Sequence, residues 1–123
     1  MQNTKQSLRP QLDIKDQKQG KSFEEEFQNE ILRPILKLQH DLILAFFHRH
    51  VTKRKVQFTG LSQIQKNEYT LQLFKKDQSF IVELRGLILG LLDLEEYEKY
   101  QIKASDLNKR ISSMALKRIQ STF

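Results

Sequence analysis

Apolar positions between Phe23 and Phe58 recur at helical spacing. One row runs through Phe23, Phe27, Ile31, Ile35, Leu38, Leu42 and Phe46, and a second at Leu32, Leu36, Ile43 and Phe47 widens it into a broad stripe. That width predicts one long buried helix. Ser22 stands where its hydroxyl can accept from free first-turn amides, and Glu24, Glu25 and Glu26 suit the positive end of a helix dipole. Pro34 has no amide proton, so the helix loses a bond there and is expected to kink; a new helix beginning at Pro34 is the alternative. Leu38 and Leu42 lie on the stripe, so truncating either to Ala is expected to cost on the order of 2 to 5 kcal/mol.

Thr59 and Gly60 mark a turn, and Ser62 with Gln65 has capping-box spacing for a second helix over 62–76. A third helix is expected from Asp77 to Gly90, burying Phe80, Ile81, Leu84, Leu87, Ile88 and Leu91. Gly86 and Gly90, four apart, would let a neighbouring helix cross closely on that face. Asp93 and Glu96 repeat the capping-box pattern ahead of a short acidic helix with Leu94, Tyr97 and Tyr100. Ser105 is the expected cap of a last helix over 106–120, which buries Leu107, Ile111 and Met114. On another side of that helix Lys103, Asp106, Arg110, Ser113 and Lys117 form a mostly positive stripe. No alternating strand pattern or internal repeat interrupts the series. The expected fold is all-α, a small bundle of four to five helices with a long kinked first helix.

Residues 1–22 differ from the rest. Besides Met1 and Leu8, only Leu12 and Ile14 are sizeable apolar side chains, too few to offset the entropy of ordering the segment by itself. Residues 1–22 are therefore expected to be an extended basic arm, and 23–123 the helical domain. The chain of 123 residues has room for one core and not for a separate catalytic domain. It carries 21 Lys and Arg against 15 Asp and Glu, a formal net charge of +6, which favours polyanionic partners. It has no cysteine, which excludes disulfides, thiolate catalysis and thiolate metal sites. The first residues lack an apolar signal core, and the longest apolar run, Gly86 to Leu92, falls well short of the roughly 20 residues of a membrane span. A cytoplasmic, soluble protein is expected.

The residue types that carry chemistry are sparse. His48 and His50 are two apart, about 200° around a helix, so they point to opposite sides and cannot chelate one metal while helical. His40 can share a face with His48, but two histidines without a third convergent ligand make a poor site, and no metal is expected. The glycines at 20, 60, 86 and 90 form no phosphate-cradling loop, and no nucleophile elbow accompanies any serine. The carboxylates at Glu24 to Glu26 and Glu95 to Glu98 sit where helix starts want negative charge. No cofactor is implied.

The basic residues remain, in three regions. The N-terminal arm carries Lys5, Arg9, Lys15, Lys18 and Lys21 against Asp13 and Asp16. Arg49, Lys53, Arg54 and Lys55 follow one another with no acid between them. Lys103, Lys109, Arg110, Lys117 and Arg118 stand against Asp106. Solvation of a helix surface, or a favourable helix C-terminus in the case of residues 53 to 55, is the plainer account of each cluster alone. Three together favour nucleic acid, and without an RNA-recognition motif, a Gly-x-x-Gly loop or zinc-finger spacing, contact should be mainly to phosphates and shape.

Several stretches carry a resemblance over residues 23 to 120: Ile31 to Leu42 (Ile-Leu-Arg-Pro-Ile-Leu-Lys-Leu-Gln-His-Asp-Leu) with the basic end that follows, Lys75 to Gln78, Arg85 to Gly90, Leu94 to Tyr100 and Ser105 to Ile111. They resemble a family of short bacterial helical proteins often labelled glyoxalase. Glyoxalase folds are built on β-rich modules or on a metallohydrolase His-x-His-x-Asp-His signature, of which His48-Arg49-His50 is only the beginning, so no catalytic residues carry over. The chain also looks like a lineage-specific large-subunit ribosomal protein. That second resemblance implies a non-catalytic structural component with ribosomal RNA and neighbouring ribosomal proteins as partners, and with no membrane and no small-molecule substrate. The alternative is a helical interaction module or homo-oligomeric adaptor using Tyr97, Tyr100 and the Gly86/Gly90 region.

Overall fold

Side-chain caps set four of the helix starts. In a computed structural model, which describes residues 4–10 and 22–123, every described element is a helix or helical turn and no strand occurs among the described residues. The Ser22 hydroxyl accepts from the Glu25 amide and opens α2 (Phe23–Phe27). A π turn over Gln28–Leu32 leads into α3 (Arg33–Leu38), and α4 (His40–Lys53) follows after Gln39. A 3-10 turn at Phe58–Gly60 precedes α5 (Gln63–Lys76), which starts on a full capping box: Gln65 N–H donates to Ser62 Oγ, and Ser62 N–H to Gln65 Oε1. Asp77 caps α6 (Gln78–Leu89) through the Phe80 amide, and Asp93 with Glu96 boxes the start of α7 (Leu94–Ile102). The last helix, α8 (Ala104–Gln120), begins too early for Ser105 to cap it: Lys103 holds the N-cap place, without a side-chain hydrogen bond, and Ser105 lies in the first turn.

Pro34 does not kink one continuous helix. It is buried at the start of α3, and the chain makes up for its missing donor upstream, where Arg33 N–H reaches back to Gln28 O across the π turn. The helical run then departs from α geometry at Gln39 (φ −90°, ψ 9°), whose side-chain amide donates to Leu87 O of α6 at 2.9 Å.

A π turn takes up one more residue than an α turn, so the buried face steps forward along the sequence. Leu32, Ile35, Leu36, Ile43, Phe47 and Val51 are buried, while Leu38 and Leu42, expected in the core, stay 39% and 47% exposed. The second row, read as a widening of the stripe, is therefore the core row. Phe47 lies at the centre, edge-on to Phe58 at 5.5 Å and Phe80 at 6.4 Å between ring centroids. Ile81, Leu84 and Ile88 of α6 and Leu107, Ile111, Ala115 and Ile119 of α8 complete the core, with Met114 only partly buried. Gly86 and Gly90 face outward. Nothing lies within 4 Å of a side chain built at Gly86, and the contact at Gly90 is the chain's own Gly86 carbonyl, so no helix crosses there.

A short helical turn, α1 (Thr4–Ser7), precedes a segment that docks on the α6–α7 junction. Arg9 forms two hydrogen bonds with Glu96, at 2.8 and 2.7 Å, and a third with Leu91 O; Gln6 donates to Asp93, and Lys5 to Leu92 O. These groups lock the capping box of α7 to the N-terminal segment.

Candidate nucleic-acid interface

The basic end of α4 is built by a helix termination. Lys55 N–H bonds to Thr52 O and Val56 N–H to Val51 O, the two reverse bonds of a Schellman motif. The motif needs a left-handed residue after the C-cap, and Lys55 fills it with φ 58°, where glycine would be free of strain. The result is a turn that projects cations from the end of the helix, where the dipole is negative and favours positive charge.

The cations there divide into two groups. Arg54 ion-pairs with Asp77, the cap of α6, and lies 3.5 Å from His50 Nδ1; His50 Nε2 in turn meets Glu83 at 3.2 Å. Both therefore tie α4 to α6, so Arg54, expected to hold RNA, has an acid of its own. Arg49, Lys53 and Lys55 are exposed and have no ion-pair partner among the described residues. Arg49 and Lys53 are four apart and share a face of α4.

The expected α8 cluster splits in the same way. Arg110 donates to Gln28 Oε1 at 2.8 Å and lies 3.8 Å from Asp106, and Arg118 meets His40 Nδ1 at 3.2 Å. These two arginines tie α8 to the π turn and to α4. Lys103, Lys109 and Lys117 are exposed. The arm is divided as well. Arg9, expected to reach for phosphate, turns inward, its side chain 7% exposed against 9% for that of Glu96, because a bidentate carboxylate partner outcompetes solvent at that site. Lys5 is held at Leu92 O, and Lys15, Lys18 and Lys21 lie outside the described residues.

The three histidines have separate neighbours: His40 has Arg118, His50 has Glu83 and Arg54, and His48 lies edge-on to Phe47 and Phe58. Among the described residues, no group of three or more His, Asp or Glu could hold a metal ion. No described helix is long and apolar enough to cross a membrane.

Sequence reading did not find Gln28, Gln39 or Arg85 as site residues. The glutamines carried no local signal, since each bonds a residue far along the chain, and Arg85 was visible only as the first residue of a stretch that carries the family resemblance. No family model, no curated protein and no solved structure matches the chain.

Proposed function

We propose that this protein is a non-catalytic, structural RNA-binding protein that holds phosphates of ribosomal RNA in the large subunit through the basic end of α4. The observation that carries the reading is the trio Arg49, Lys53 and Lys55: exposed, without acidic partners among the described residues, and ending on a lysine where the backbone favours glycine. A strained, charged residue at a helix end that glycine would relieve points to a use for the charge. Lys103, Lys109 and Lys117 extend the positive surface, and a net charge of +6 adds long-range attraction for a polyanion. The resemblance to a lineage-specific large-subunit protein supplies the assembly.

The test is the salt dependence of binding to a ribosomal RNA fragment, followed by fluorescence anisotropy. Neutralising one cation that holds a phosphate should flatten the slope of log affinity against log salt by roughly 0.7 to 0.9. Arg49→Gln, Lys53→Gln and Lys55→Gln together should remove about three such terms. An unchanged slope in the triple variant refutes the reading.

A second reading has one observation in its favour. Leu94 and Ile102 of α7 are 75% and 69% exposed and Tyr97 41%, large apolar side chains on one short helix open to a protein partner. Tyr100, grouped with Tyr97 in the adaptor reading, is buried and donates its hydroxyl hydrogen bond to Asn108.

A further inference from the structure

On the side where α6 packs against α8, a cavity of about 430 Å³ is lined by Arg85, Ser105, Asn108, Lys109 and Ser112. Arg85 comes from α6 and the other four from α8. Each of the five offers hydrogen-bond donors, and none is an acid. Arg85 is half-buried, its Nε is shut off from solvent without a hydrogen-bond partner, and no carboxylate pairs with it among the described residues. The Nε, being shut off from solvent, does not face the open cavity, and the terminal amino groups are the donors that a ligand there can reach.

Asn108 is set to donate as well. Tyr100 O–H donates to its Oδ1, so the amide oxygen is occupied and the NH₂ end is the part left free. An adjoining recess shares Ser105 and Lys109 and adds Lys103 together with one acid, Asp106, which Arg110 engages at 3.8 Å.

We propose that this cavity is a binding site for a phosphate group. Two cations and three neutral donors around one space match a tetrahedral dianion, and guanidinium geometry suits two of its oxygens at once. The site is a depression open to solvent, so its shape does not limit the ligand to a bare phosphate, and a phosphate ester fits as well. The site shares Lys109 with the positive surface proposed for RNA but contains none of the α4 trio, so loss of RNA binding at Arg49, Lys53 and Lys55 leaves it intact.

The experiment is a titration of ¹⁵N-labelled full-length protein at constant ionic strength, read at the Asn108 side-chain amide and the Arg85 Nε–H resonances. One arm uses inorganic phosphate with chloride as control, and the other a short single-stranded RNA. Saturable shifts at both groups with phosphate support a site for free or esterified phosphate, and the same shifts with RNA alone assign the group to a nucleic-acid backbone. Arg85→Gln should weaken either by about tenfold or more, since a charge-assisted pair is removed. Lys109→Gln, at an exposed position where folding is not at risk, should also weaken it. No saturable shift in either arm, or shifts that survive both substitutions unchanged, would falsify the proposal.

Discussion

Arg9→Met tests how firmly the N-terminal segment belongs to the fold. The substitution keeps most of the apolar stem and removes the guanidinium, leaving Glu96 without its bidentate partner at a site where both side chains are less than 10% exposed. Breaking a buried pair by removing one partner costs about 3 to 5 kcal/mol when the other charge stays buried. Two features lower that figure here. Glu96 still accepts from the Asp93 amide at 3.0 Å, and the segment can detach and let water reach the carboxylate. The loss in Arg9→Met therefore cannot exceed the docking free energy of the segment, which deletion of residues 1–10 measures directly. We expect about 2 kcal/mol for Arg9→Met and an equal or slightly larger loss for the deletion. Glu96→Gln should cost a comparable amount in the full chain but under about 0.5 kcal/mol in the truncated one, because glutamine also completes a capping box. Urea denaturation followed by circular dichroism gives all four values. A deletion that costs under about 0.5 kcal/mol, or a Glu96→Gln penalty that is the same in both backgrounds, refutes the docked arrangement.

The remaining predictions use the same readout. Leu36→Ala should lose about 2 to 5 kcal/mol and Leu42→Ala under about 1 kcal/mol, whereas the two would lose similar amounts if Leu42 were core; equal losses would contradict the shifted face. Lys55→Gly should raise stability by about 1 kcal/mol by relieving the left-handed strain while lowering RNA affinity; a loss of stability would count against the motif. The pKa of Asp93 is held below its ordinary value first by the hydrogen bond from the Glu96 amide, then by Gln6 and Arg9, with burial opposing. Because the unfolded chain takes up this proton more readily, the contribution is complete above the unfolded pKa of about 3.9 and is lost as pH falls through the lower folded value. The stability gap between wild type and Asp93→Asn should narrow below about pH 4, and a gap constant into stronger acid would contradict it.

The helices were legible in the sequence where caps and periodicity agree. Ser22, Ser62 and Asp93 are local signals that need nothing from the rest of the chain, and all three cap the helices expected of them, while Asp77, expected as the first residue of its helix, is its cap. Reading failed where a local feature had a distant resolution. Pro34 forecast a break, and the alternative of a new helix there is close to the observed start of α3, but nothing local forecast the π turn before it, which moved Leu38 and Leu42 out of the core. Gly86 and Gly90 satisfied a spacing rule with no helix opposite them to use it. Charge counting grouped Arg9, Arg54, Arg110 and Arg118 with their basic neighbours, because their partners Glu96, Asp77, Gln28 and His40 lie elsewhere in the chain. Of the α4 and α8 cations expected to meet RNA, Arg49, Lys53, Lys55, Lys103, Lys109 and Lys117 are exposed without an acidic partner among the described residues, a subset that only packing could separate from the rest.

That the end of α4 holds ribosomal RNA is tested most directly by sucrose-gradient sedimentation of lysate carrying the wild type or an Arg49→Glu, Lys53→Glu, Lys55→Glu variant. All three side chains are exposed, so the variant should keep its helicity by circular dichroism. The wild type is expected to travel with large subunits, and the variant to move to the top of the gradient. A wild type found only among free proteins, or a folded variant that still travels with large subunits, would contradict RNA binding through α4.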